Sequence, residues 1–198
     1  MTAQVSDVVK YRDEEMLLAA FSDGEPFSPA QYGYRPMMAS TACYRGYVCE
    51  YEVAESRLLL SKLNVHHQDT DAPASVLVKP PKLNGVEAKI SEASFFGRWV
   101  FKGTNLPISY TGGLIVARGF IRSLYVHMGF HPAWKYEEVH ELVFESGRLA
   151  SEEDLSARIA ELRGRITSGA VSSSKPSRNE VEAWVAESFR RDYRRRSS

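Results

Sequence analysis

The chain has 198 residues, 43% of them apolar, with 25 basic and 25 acidic side chains; this suffices for an ordinary core in one large domain or a domain with an appendage. A formal charge of zero leaves no global field to draw the protein to nucleic acid or to an anionic membrane. No stretch approaches the ~20 apolar residues that cross a bilayer, and the start, MTAQVSDVVKYRDEE, has no basic region followed by an apolar one, so no membrane and a cytoplasmic location are expected.

Taken in chain order, DEEMLLAAFSDGEPF sets Met16, Leu17, Ala20 and Phe21 at helical spacing ahead of the breakers Gly24 and Pro26, which predicts a short helix. From STACYRGYVCEYEV the period becomes two, with Tyr47, Cys49, Tyr51 and Val53 on one parity and Val48, Glu50 and Glu52 on the other, a half-buried strand. Cys43 and Cys49 flank YRGYV in that strand, where six residues span about 20 Å, beyond disulfide reach; free thiols filling core space are expected. SRLLLSKLNV reads as the second strand of a hairpin. The Pro-, Asp- and Gly-containing segment that follows offers one edge strand at most, at SVLV, since Pro80 and Pro81 cannot donate to a ladder.

FFGRWVFKG, PISYTGGLIVARG, FIRSLYVHMGF and EVHELVFESGRLA are short β-branched and aromatic runs separated by Gly, Pro or Asn, the spacing of an antiparallel sandwich or partly open barrel. At Ser151 the pattern changes. SEEDLSARIAELRGRI opens with a Ser-x-x-Asp capping box and carries the stripe Leu155, Ile159, Leu162 and Ile166. A Ser-rich linker and a second capping box, Ser177 with Glu180, precede another apolar face at Val181, Trp184, Val185 and Phe189. The expected fold is therefore α+β: a β-rich domain over residues 1–150 and a helical extension over 151–198, with helices at about 152–166 and 179–195 and a linker at about 167–178.

Three of five histidines fall in LYVHMGFHPAWKYEEVHELVF. His127 and His131 have the i, i+4 spacing of metal ligands on a helix, with Glu137, Glu138 and His140 close behind. In a strand, however, residues four apart lie about 13 Å from one another, so only a bend at Gly129, with Pro132 ending the strand, brings them together. The alternative makes His140, on the parity of Leu142 and Phe144, a hydrogen-bonded histidine of the packed face. HPAWKY is then a connection whose Trp134 and Tyr136 close the core or stand at an interface. Arg45, between aromatics in YRGY, suits capture of a carboxylate or other anion by a planar guanidinium, or a rim salt bridge to Glu50 or Glu52. ISYTGGLIV has a Gly pair but no phosphate-loop signature. No GxSxG elbow and no local activation of a thiolate are evident.

TACYRGYVCEYEV and RLLLSKL, with NLPISYTGGLIV and FIRSLYVHMGFHPAWKYEEVHELVFESGRL, resemble a family of uncharacterised bacterial proteins marked by an aromatic-Arg-Gly-Tyr strand and the block TGGLI…YVHMGFHPAWKYxEVHEL. The resemblance covers residues 34–149 and departs at Cys43-Tyr44, where the family tends to Cys-Trp or Leu-Trp, and after Ser151. It implies a stand-alone cytoplasmic domain, a companion of polymorphic toxins or other conflict systems, with no reaction, cofactor or catalytic residue to carry over.

The leading expectation is a non-catalytic protein-binding module, immunity- or antitoxin-like or a subunit of a bacterial conflict system. It would bind the product of a neighbouring gene through Arg45, Tyr47, Tyr125, His131, Trp134 and Tyr136, without a cofactor. The alternative is a small metal-dependent hydrolase using His127, His131, Glu138 and His140. A third reading gives RRDYRRRSS, a net +4 that leaves −4 for the rest, a nucleic-acid role through Arg190, Arg191, Arg194, Arg195 and Arg196.

Overall fold

The computed structural model describes residues 2–68, 78–92, 94–169 and 191–193. Nine strands form one mixed sheet: β1 (Val8–Tyr11), β2 (Glu14–Phe21), β3 (Tyr47–Ala54), β4 (Arg57–Val65), β5 (Lys89–Ile90), β6 (Trp99–Pro107), β7 (Gly112–Phe120), β8 (Tyr136–Glu145) and β9 (Arg148–Asp154), followed by the helix α1 (Ser156–Gly169). The order β3-β1-β2-β7-β8-β9-β4-β6-β5, with β3 also paired to β4, runs back on itself. The ring is weakest between β4 and β9, which share the single pair Arg57↔Arg148, while β6 takes up most of that edge of β4. The β-rich expectation is met in a partly open barrel. The sheet is mixed because β1 runs parallel to β3.

The inner core gathers side chains of alternating parity, among them Val9, Leu18, Tyr51, Leu60, Leu63, Phe101, Leu114, Val116, Leu142 and Phe144. A second cluster on the outer face, Ala19, Ile115, Ala117, Tyr136 and Val139, is covered by Leu155 and Ile159 at the start of α1 and by Tyr193. Leu155 and Ile159 of the predicted stripe therefore pack on the sheet, whereas Ile166 is 37% exposed.

Four expectations are corrected by local physics. Met16, Leu17, Ala20 and Phe21 lie in β2 and not in a helix, because a register shift between Leu18 and Ala20 inserts an extra residue. Met16, Leu18 and Phe21 consequently share the inner core, and a bulged strand reproduces a helix-like spacing. Ser151 to Asp154 do not cap a helix, since they extend β9 against β8. Asp154 instead accepts the Ser156 N–H at 2.8 Å, and the change from strand to helix falls at Leu155. The run LYVHMGF is not a strand: a 3₁₀ turn, Arg122–Leu124, leads into a loop, with Gly129 at φ 63° and a bridge from Gly129 to Ala3. Cys43, Tyr44 and Arg45 belong to a turn before β3; both cysteines are buried and free.

The edge strand is Lys89–Ile90, paired with β6; three of the four SVLV residues lie outside the described residues, as does most of the predicted second helix. Where that helix was expected to continue, residues 191–193 are extended: Asp192 bridges Phe21 in parallel, and Arg191 O and Tyr193 N–H bond the two sides of Phe21 at 2.8 and 3.0 Å. No helix among the described residues is long and apolar enough to cross a membrane.

Candidate functional site

Asp7 immediately precedes β1, and the parallel pairing of β1 with β3 brings it beside Cys49. Only 3% of its side chain is exposed. Its Oδ1 accepts from the Arg45 guanidinium and from the Cys49 N–H at 2.7 Å, and its Oδ2 accepts from Arg191 Nη1 at 3.1 Å. Burial works to raise the Asp7 pKa, but the Arg45 and Arg191 guanidiniums outweigh it and hold the carboxyl below its ordinary value. Arg191, itself only 3% exposed in its side chain, also donates to Leu18 O at 2.7 Å.

Three rings and a turn fix the guanidiniums. Arg45 lies 4.4 Å over Tyr47 and 5.9 Å from Phe130; Arg191 lies 4.6 Å from Phe130 and 5.4 Å from Phe21, distances at which ring quadrupoles attract cations. Gly46 makes the turn that presents Arg45: its φ is 78°, and a Cβ there would stand 2.0 Å from Met37 O, so a side chain is excluded by both backbone strain and contact. The N-terminal segment holds Phe130 in place. Gln4 N–H donates to Gly129 O at 2.7 Å, Gln4 Oε1 accepts from Tyr44 N–H at 2.9 Å, and Val5 N–H donates to Ala42 O at 2.9 Å.

Above this pair opens a cavity of about 340 Å³ lined by Gln4, Phe21, Glu25, Tyr44, Arg45, Phe130, Arg191 and Asp192. Glu25 accepts from the Tyr47 hydroxyl, and its other oxygen lies 3.9 Å from Arg45 Nη1, too far for a hydrogen bond. The Nε atoms of Arg45 and Arg191 are buried and have no hydrogen-bond partner among the described residues. Burial raises the Tyr47 hydroxyl, helped by Glu25, and raises the Cys49 and Cys43 thiols. The site therefore holds a carboxylate kept ionised by two guanidiniums, beside thiols whose burial favours the neutral form.

A second feature adjoins the cavity at Tyr44. Met37, Met38, Tyr44 and Phe95 are 49%, 53%, 67% and 70% exposed. Their loops are tied together: Ala39 N–H donates to Cys43 O at 3.1 Å, Cys43 N–H to Ser40 O at 3.0 Å, and the Ser40 hydroxyl to Phe95 O at 2.9 Å.

Of the expected binding residues, Arg45 and Tyr47 belong to the Asp7 site. Arg45 does not pair with Glu50, which takes Lys62, or with Glu52, which lies 3.5 Å from Lys10. Tyr125, His131 and Tyr136 surround Phe120, with ring centroids 6.2, 4.7 and 5.3 Å away. Trp134 stands in the turn Ala133–Lys135, its ring 5.4 Å from Lys135 Nζ and its carbonyl accepting from Arg163 Nε at 2.7 Å. Tyr136, 2% exposed, is core.

His127 and His131 both pack against Tyr125, with ring centroids 4.8 and 5.2 Å away, whereas His140 has other partners. His127 Nδ1 is 3.4 Å from the Tyr125 hydroxyl, and His131 Nδ1 is 3.5 Å from Lys135 Nζ. His140 pairs with Glu138 at 3.0 Å and approaches Glu152 at 3.4 Å, while Glu138 also accepts from Arg118 at 2.6 Å. Among the described residues no group of three or more His, Cys, Asp or Glu side chains is arranged to hold a metal ion. Arg191 leaves the expected nucleic-acid set, because it is buried against Asp7; Arg190, Arg194, Arg195 and Arg196 lie outside the described residues.

Sequence reasoning missed Asp7, Gln4, Glu25, Phe130 and Asp192. The legible signal was partial: HPAWKY was expected as a connection that closes the core or stands at an interface, and Phe130, the residue before it, lines the cavity. No protein-family model matches the chain, and comparison with curated proteins and with solved structures finds no significant similarity.

Proposed function

We propose that this chain is a non-catalytic binding module that takes a protein partner on the tied loops carrying Met37, Met38, Tyr44 and Phe95. The observation that carries this reading is four large apolar side chains, each about half exposed or more, on loops joined to one another by hydrogen bonds. Exposed apolar groups concentrated in one place mark interaction surfaces, and rigid loops bind with little ordering cost. The resemblance to conflict-system companions makes the product of a neighbouring gene the first partner to test, in an immunity- or antitoxin-like role.

The test is titration of that product with the wild-type chain and with Met38→Glu and Phe95→Glu, under light scattering for stoichiometry. A 1:1 complex is expected, weakened about 30-fold by either substitution, the effect of losing an anchor worth ~2 kcal/mol. Absence of a complex, or a complex indifferent to both substitutions, overturns the proposal. Both side chains are exposed, so circular dichroism should show unchanged folding.

A further inference from the structure

The cavity over Arg45 and Arg191 is distinct from the apolar loops and offers a different chemistry. It is about 340 Å³, at the small end of the ~300–1,000 Å³ typical of ligand sites. Its floor is cationic and its rim anionic. Arg191 and Arg45 are deep, whereas Glu25 has 37% of its side chain exposed and Asp192 is exposed at the edge. A simple anion gains from the guanidiniums but is opposed by the two rim carboxylates; a simple cation meets the reverse.

A molecule carrying both charges on adjacent atoms satisfies both. Glu25 Oε1 and Arg45 Nη1 are 3.9 Å apart without a hydrogen bond between them, and the second Glu25 oxygen is occupied by Tyr47. Opposite charges held apart at that separation match the neighbouring ammonium and carboxylate of an α-amino acid, each of which would form a charge-assisted hydrogen bond there. Phe21, Phe130 and Tyr44 supply the remaining wall, suited to a large apolar side chain.

We propose that the cavity is a binding site for a free α-amino acid with a large apolar side chain. Its carboxylate meets Arg45, with the buried Arg191 adding positive potential, its ammonium meets Glu25 with Asp192 adding negative potential, and its side chain lies against Phe130 and Phe21. A peptide fits less well, because amide formation removes one of the two adjacent charges. This inference goes beyond the protein-partner reading and shares only Tyr44 with it, so either can fail alone.

Isothermal titration calorimetry of the full chain with L-phenylalanine, L-tyrosine, L-leucine and L-methionine tests it. At least one should bind 1:1, and its amide and its N-acetyl derivative should each bind about tenfold more weakly or worse, the loss of one charge-assisted hydrogen bond. Glu25→Gln should weaken binding by about tenfold with an unchanged melting temperature, which separates recognition from a structural role. Arg45→Lys, which keeps charge but loses the planar fork, should weaken it as well. No binding of any of the four at millimolar concentration, or binding equally strong for the amide and N-acetyl forms or for Glu25→Gln, overturns the proposal.

Discussion

At Asp7 a carboxylate is removed from water and surrounded by two guanidiniums and an amide N–H. Removing one member of such a group leaves the others buried and uncompensated, at a cost of about 3–5 kcal/mol. Asp7→Asn is therefore expected to lower unfolding free energy by about that amount in urea titration, and a change below ~1 kcal/mol would contradict the role given to it. Because the folded pKa lies below the ordinary 3.8, the unfolded chain binds this proton more tightly. The contribution is thus complete above pH 3.8 and lost as pH falls through the lower folded value; acid unfolding of Asp7→Asn should lack that component. His131 shifts in the same direction, since burial and then Lys135 disfavour its imidazolium. An NMR titration should place its midpoint below 6.5, and a midpoint at or above 6.5 refutes the described packing. Arg45 was legible from its aromatic flanks; Asp7 was not, because an aspartate before an apolar run is usually a solvated turn residue, and only the parallel pairing of β1 with β3 encloses it. Arg191 was concealed by its neighbours, as a run of arginines ordinarily solvates a chain end.

The elements follow from β-branched and aromatic runs bounded by turn residues, as in β3, β4, β7 and β8, all of which were anticipated. The failures have a common cause: one irregular residue changes the apparent period. The bulge in β2 imitates a helix, and Gly129 with Pro132 converts a strand-like composition into a loop. Tight turns set the hairpins. Arg12 and Asp13, Glu55 and Ser56, and Ser146 and Gly147 all have positive φ, the two-residue geometry that matches strand twist. Glu55 and Ser56 tolerate this conformation poorly, at ~1–2 kcal/mol for a residue bearing a Cβ, whereas Asn-Gly adopts it readily. Replacing Glu55-Ser56 by Asn-Gly should stabilise the protein by roughly 1 kcal/mol, read as a higher urea midpoint at unchanged slope. A lower midpoint would mean that these side chains hold the turn in some other way.

For the molecule as a whole, the Asp7 network joins residues 184 apart in sequence, seating the chain's last described segment against β2 and completing the cavity wall with Arg191 and Asp192. The site is a product of closure: its N-terminal carboxylate, its central arginine turn, the Phe130 loop and the C-terminal arginine meet only when the sheet has formed. This is why sequence order gave so little of it. The most direct test of this arrangement is a double-mutant cycle on unfolding free energy with Asp7→Asn, Arg191→Met and the pair. Strong coupling is expected, with the double variant less destabilised than the sum of the singles by about 2 kcal/mol or more; additivity within ~0.5 kcal/mol would contradict the arrangement.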